Sequence, residues 1–186
     1  MQQDLFINDD FQVLLSDRGT VELYRSFLGG ESYFNLINEE CIWHELDINL
    51  YGKTHKVPRL TAWFADDVTK EYSYSGINLT PVTWTKSLLK LKTRIEEKIG
   101  MKFNSCLVNL YRNGADYVAW HSDDERELGK RPVIASLSLG ETISIDLSDG
   151  DLLVMKDDLQ MNWKHQLNKT SKNVGPTINL TFRNLF

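Results

Sequence analysis

From Gly100 onward the sequence breaks into short apolar runs separated by turn signals. The runs are 106–112, 117–121, 133–139, 143–147, 152–155 and 178–182, with Asn113-Gly114 and Asp149-Gly150 among the breaks. Short strands at this spacing predict an antiparallel sandwich or barrel. Upstream the rhythm is helical. Trp84, Leu88, Leu91, Ile95 and Ile99 recur at spacings of three and four, which predicts a helix over 82–99 with one apolar face. Pro81 precedes that helix and Gly100 follows it as start and stop signals. A second helix is expected over 31–41, with Tyr33, Leu36, Ile37 and Cys41 on one side. Helices first and strands afterwards make the chain α+β, with the helices packed on one side of a sheet.

The 186 residues suit a single domain, and no repeat or Pro/Gly-rich linker divides them. A net charge of −5 is not the footprint of a protein that binds nucleic acid through bulk charge. Any such contact must come from local groups: Lys53, Lys56 and Arg59; Arg126, Lys130 and Arg131; or Lys164, Lys169 and Lys172. The plainer reading of each is a solvated surface charge. Cys41 and Cys106 form no CxxC spacing and no disulfide framework, which favours a reducing compartment. The N-terminus lacks a basic region followed by an apolar one, and no apolar stretch approaches the ~20 residues that span a bilayer. The expectation is a monomer in the cytoplasm or nucleus, with no membrane partner.

Two clusters carry chemistry. In His121-Ser122-Asp123 on an extended segment, side chains two apart point the same way, so His121 and Asp123 converge. His165, distant in sequence, supplies a third ligand. Two imidazoles and one carboxylate on one face of an octahedron leave three positions open, the arrangement of non-haem Fe(II) oxygenases. Trp163 and Leu167 flank His165 at strand spacing and would limit water access. The plainer alternative is a surface histidine beside the acidic run Asp123-Asp124-Glu125. In the last strand, Thr177, Asn179, Thr181 and Arg183 share one face, opposite Ile178, Leu180 and Phe182. If that face looks into the interior it lines a polar pocket in which Arg183 holds a carboxylate. Leu107, Asn109 and Tyr111 share a face in the same manner. The alternative for both strands is an exposed polar face.

Taken in order, several segments together resemble the AlkB family of Fe(II)/2-oxoglutarate dioxygenases, which repair alkylated bases. They are Asn109-Leu-Tyr111, His121-Ser-Asp123-Asp124-Glu125, 134–140, 150–155, Trp163-Lys-His165 and 178–183. Upstream, Val57-Pro-Arg59, Ala62, Asp66 and 72–76 are similar to the substrate lid of the family's eukaryotic DNA-repair branch. The resemblance implies a double-stranded β-helix (jelly roll) with helices on one sheet. It divides the chain into a peripheral part (1–56), a lid (57–80) and a catalytic core (106–183). It implies Fe(II) at His121, Asp123 and His165, and 2-oxoglutarate against Asn109, Tyr111, Asn179 and Arg183. It implies contacts to a flipped base from Tyr72, Tyr74 and Asp124, with Arg59 near the gap left in the duplex. The activity implied is oxidative dealkylation of N-alkylated bases in DNA, or alternatively RNA.

The chain departs from the family pattern twice. Thr177 stands where the pattern Arg-x-Asn-x-Thr-x-Arg has its first arginine, a loss worth about 1.5–3 kcal/mol of co-substrate binding. The segment after Gly140 is also short, running almost directly into 143–147. Thr177 keeps a second reading in view, a nucleic-acid-binding protein on the same scaffold with weakened catalysis, and the acidic charge balance a third, a dioxygenase of the same fold acting on protein or small molecules.

Overall fold

The computed structural model describes residues 11–50, 52–69, 72–74, 77–141 and 147–186, with the side chains of 49–50, 72–74 and 77–79 outside that description. The elements in chain order begin with β1 (Gln12–Leu15), β2 (Thr20–Tyr24), α1 (Phe34–Glu40), β3 (His44–Leu50) and β4 (Lys53–Ala65). A hairpin of β5 (Tyr72–Tyr74) and β6 (Ile77–Leu79) then leads to α2 (Lys86–Ile99). The remainder is β7 (Ser105–Tyr111), β8 (Val118–His121), β9 (Ile134–Gly140), β10 (Leu152–Lys156), α3 (Leu159–Asn162), β11 (His165–Leu167) and β12 (Thr177–Arg183). One large antiparallel sheet runs β1-β2-β10-β9-β12-β7-β4-β3, and β8 pairs with β11 in a second, smaller sheet. The architecture is the expected jelly roll with α1 and α2 on one face of the large sheet.

Strand alternation decides which residues build that face. Val108 and Leu110 on β7, Ile178, Leu180 and Phe182 on β12, and Ala135, Leu137 and Leu139 on β9 point outward and are buried. They meet Leu88, Leu91 and Ile95 of α2 and Tyr33, Ile37 and Cys41 around α1 in one cluster. Burying a large apolar side chain contributes about 1.5–3 kcal/mol, so this layer is the main source of stability.

The helices differ in detail from the periodicity. α2 starts at Lys86 because the preceding segment is held extended: Val82 donates its N–H to the Trp63 carbonyl (2.9 Å) and pairs with Phe64. The Thr85 side chain caps the helix by accepting from the Leu88 N–H (3.3 Å). Trp84 is therefore not a helical residue; it stacks on Phe182 and donates to Asp66 (2.6 Å). Gly100 closes the helix in the left-handed region at φ 69°. The helix expected over 31–41 is α1 (Phe34–Glu40) with Tyr33 and Cys41 as its flanking caps; Tyr33, Ile37 and Cys41 are buried as expected, but Leu36 is 48% exposed.

Three expected segments can be placed against these elements. Within the part expected to be peripheral (1–56), the described residues supply β1, β2 and β3 to the large sheet, and Leu23, Tyr24 and Leu28 are buried in the core. The first part of the expected lid (57–80) falls in β4, whose Leu60–Ala65 pair with β7 in mid-sheet. Of the strand expected over 143–147, residues 143–146 lie outside the described residues. On either side of them β9 and β10 pair directly, with Leu137 opposite Leu152.

Candidate active site

The same alternation that sends Val108 and Leu180 outward turns their neighbours inward, and the register aligns these in rows. One row runs Thr61, Asn109, Asn179, Ser138 across β4, β7, β12 and β9; the next runs Trp63, Leu107, Thr181, Ser136. A third runs Tyr111, Thr177, Gly140. The rows are tied together by side chains. Arg59 Nε and the Thr61 hydroxyl both donate to Asn109 Oδ1, at 3.0 and 3.2 Å. The Thr181 hydroxyl donates to Asn179 Oδ1 and the Asn179 amide donates to the Ser136 hydroxyl, both at 2.8 Å. Each amide oxygen is thus occupied, and the Asn109 NH2 group remains a donor on the inner face.

The opposing wall is the two-stranded sheet. Register places His121 opposite His165, with ring centroids 4.1 Å apart. Asp123, 1% exposed, lies two residues beyond the end of β8. Its backbone N–H donates to Gln160 Oε1 (2.9 Å), which fixes the turn from α3. Its carboxylate lies between Arg183, whose guanidinium donates to Oδ1, and His165, whose Nε2 is 3.9 Å from Oδ2. His121 Nδ1 lies 2.9 Å from the Ala119 carbonyl, a contact made by the Nδ1–H tautomer, which leaves the Nε2 lone pair available to a metal. The pKa of His165 is lowered to about 4, first by burial and next by neighbouring His121, so its imidazole is neutral at physiological pH.

Between the two walls is a cavity of about 280 Å³, lined by the three candidate ligands and by Asn109, Tyr111, Thr177, Asn179 and Arg183. Leu107, Val118, Leu153, Met155, Trp163 and Leu167 complete an apolar lining around the polar groups. Residues from elements remote in sequence therefore meet in one space. Arg59, expected near the gap left in a duplex, is also part of this lining. On β4 the inward parity falls on Arg59 and Thr61, so Arg59 is 7% exposed and lines the cavity floor. Asp124, by contrast, is exposed and outside the lining. The side chains of Tyr72 and Tyr74 lie outside the described residues, so their expected place at the base is not visible here. Gln160, Ser136 and Thr61 were not singled out from sequence. Only their hydrogen bonds to Asp123, Asn179 and Asn109 reveal them.

The donor set fits Fe(II): two imidazole nitrogens and one carboxylate oxygen, with space on the cavity side for further ligands. Among the described residues no three His, Cys, Asp or Glu side chains are yet closed around a common point, and Asp123 is turned to Arg183.

A family model described as the 2OG-Fe(II) oxygenase superfamily matches residues 30–183, most of the chain. The chain belongs to the 2OG-Fe(II) oxygenase superfamily. Within this superfamily it is of the AlkB type. Alpha-ketoglutarate-dependent dioxygenase alkB homolog 3 of Bos taurus is 42% identical over 179 residues, covering 84% of this chain and 62% of the relative. The Homo sapiens protein of the same name is 41% identical over 156 residues, covering 72% and 54%. DNA oxidative demethylase ALKBH2 of Mus musculus is 34% identical over 159 residues, covering 74% and 66%. The chain thus spans between 54% and 66% of these curated relatives. Among solved structures, OsALKBH1 superposes with a TM-score of 0.62 at 15% identity, covering 88% of this chain and 97% of that one, a likeness of fold.

Proposed function

We propose that this superfamily member is an oxidative dealkylase of N-alkylated bases in nucleic acid, DNA in the first instance. The observation that carries the reading is that His121, Asp123 and His165 share one cavity with Asn109, Asn179 and Arg183. The names of the relatives support it, since one is called a DNA oxidative demethylase. With O2, bound Fe(II) and 2-oxoglutarate supply the oxidation that hydroxylates an N-alkyl carbon, releasing succinate and CO2, after which the hydroxylated group leaves as an aldehyde.

The chain's own residues do the rest. His121, Asp123 and His165 hold the metal, with His121 oriented by the Ala119 carbonyl and Asp123 by Gln160. Arg183 and the Asn109 and Asn179 amides receive the co-substrate's oxygens. Leu107, Val118, Leu153 and Met155 exclude water from the space between. A base stacked in a duplex cannot reach this cavity, so the substrate base is extruded or single-stranded. Tyr72 and Tyr74 would flank it, and Asp124 would accept from its exocyclic amino group. The protein would work as a single copy in the cytoplasm or nucleus, and among the described residues no helix is long and apolar enough to cross a membrane.

The test is aldehyde release from an N-methylated oligonucleotide supplied with Fe(II), 2-oxoglutarate and O2, beside a methylated peptide. Turnover on the oligonucleotide alone is expected. Turnover on the peptide alone would overturn the nucleic-acid reading. Oligonucleotide binding without succinate formation would establish the binding-only alternative instead.

A further inference from the structure

Arg183 donates to Asp123 and so stands at the metal end of the cavity. Position 177, at the far end, is a threonine whose hydroxyl donates to the Glu141 carbonyl. A five-carbon diacid with one end at the metal must put its second carboxylate somewhere, and burying that charge without a cation is costly. The register shows which cation is available. Leu60 pairs with Leu110, and Thr61 with Asn109. Continued by one residue, that register sets Arg59 opposite Tyr111, whose other neighbour is Thr177. Arg59, Tyr111 and Thr177 thus occupy one inner-face row, each step about 5 Å across the sheet. Arg59 is 7% exposed and lines the cavity. Its Nε is bound to Asn109 and one Nη lies 3.4 Å from the Tyr117 carbonyl, which fixes the guanidinium without neutralising it. Asp116 feels the charge of Arg59, but the nearby carboxylates have other hydrogen-bond partners. Asp116 is held by Arg112 through backbone N–H, Nε and Nη2, and Glu141 accepts from the Gly175 N–H.

We infer that Arg59 is the residue that recognises the distal carboxylate of the co-substrate, taking from β4 the role that Thr177 cannot play from β12. This rests on the proposed use of 2-oxoglutarate, and it makes Arg59 a determinant of specificity for a diacid. By holding Asn109 Oδ1, Arg59 also turns the Asn109 NH2 group toward the same carboxylate.

The test needs no turnover. Mn(II)-loaded protein is titrated calorimetrically, without O2, with 2-oxoglutarate and with 2-oxopentanoate, which has the same chain length and lacks the distal carboxylate. The wild type is expected to prefer 2-oxoglutarate. In Arg59→Met the affinity for 2-oxoglutarate falls about ten- to hundredfold, affinity for 2-oxopentanoate is nearly unchanged, and the preference disappears. Arg59→Lys keeps part of the preference, and Arg59→Met with Thr177→Arg recovers it. Mn(II) affinity and the circular dichroism spectrum of each variant establish that the fold and metal end are intact. A preference that survives in Arg59→Met, or one lost instead in Lys164→Met (a basic residue of the lining besides Arg59 and Arg183), would overturn the inference. Should the Mn(II)-loaded wild type bind neither acid, the proposed co-substrate itself is wrong, a result distinct from failure of the Arg59 assignment.

Discussion

β7 and β12 each carry two unrelated surfaces. Outward, Val108, Leu110, Ile178, Leu180 and Phe182 face α2 and the apolar core. Inward, one residue away in each case, Asn109, Tyr111, Thr177, Asn179, Thr181 and Arg183 form a polar cavity wall. Both faces are buried, so exposure does not separate them. What separates them is partnership: dispersion and area burial on one side, and directed hydrogen bonds and an ion pair on the other. The difference shows why the register is tightly specified. A slip of one residue would expose the apolar set to the cavity and drive an arginine and two amides against the helices. It also makes a prediction about mutations: the outer face carries stability, and the inner face carries chemistry with little stability.

The largest expected effect is on the chemistry side. His121→Ala should reduce aldehyde release to background while leaving cooperative unfolding in place, because His121 is half-buried and its ring bonds to the Ala119 carbonyl two residues away. Denaturant unfolding of the apo variant beside the wild type checks this. A variant that unfolds without denaturant would show that the inner wall also carries the fold, and the two-face division would fail.

Second in size is the mirror experiment on the outer face. Phe182 is fully buried and touches Trp84 and Phe103 in aromatic contacts. Phe182→Ala should cost about 3–5 kcal/mol of unfolding free energy, read as a lower denaturant midpoint. Below that midpoint, Mn(II) affinity should be close to wild type. A large loss of metal affinity in the folded variant would mean that the layers are coupled through β12.

A smaller effect is expected for Asn179→Ala, whose amide links Thr181 to Ser136. Two hydrogen bonds at about 0.5–1.5 kcal/mol each give about 1–3 kcal/mol, partly offset because water can enter the cavity. The variant should lose co-substrate affinity more clearly than stability, measured by calorimetry and by denaturant unfolding on one preparation.

The two faces were unequally legible in the sequence. The outer face of β7, β9 and β12 and the apolar stripe of α2 stand out because alternation or helical spacing is strong there. The start of α2 was hidden, since Val82 and Trp84 continue the apolar pattern although Val82 is tied to β4. β4 itself was obscured because Ala62, Trp63, Phe64 and Ala65 are buried on both faces, which erases alternation. For the same reason Arg59, sitting near Lys53 and Lys56, reads as one more surface charge until strand parity shows it pointing inward. β11 has only three residues, too few to show a period. His165 was therefore found through the chemistry of His121 and Asp123. Gln160 carries no local signal, because its role is a contact to the Asp123 backbone across 37 residues of chain.

The smallest expected effect concerns pH and belongs to the wall that bears the candidate ligands. The folded-state pKa of His165 is lowered from 6.5 to about 4, chiefly by burial. A histidine depressed in this way takes up its proton more readily when unfolded. The apo protein should therefore lose stability as pH falls from about 6.5 toward 4, and should gain nothing from this group above that window. His165 is 39% exposed at the side chain, so solvent screens part of the penalty and the slope should be modest. His165→Asn removes the titrating group while keeping a polar side chain. Its unfolding midpoint should fall less between pH 6.5 and 4 than that of the wild type, and the two should run parallel above pH 7. Phe182→Ala, altered on the other face, should instead keep the wild-type slope at a lower absolute stability. Equal slopes in wild type and His165→Asn would mean that the imidazole is solvated in the apo protein, and the cavity would then be wetter at its metal end than its apolar lining implies.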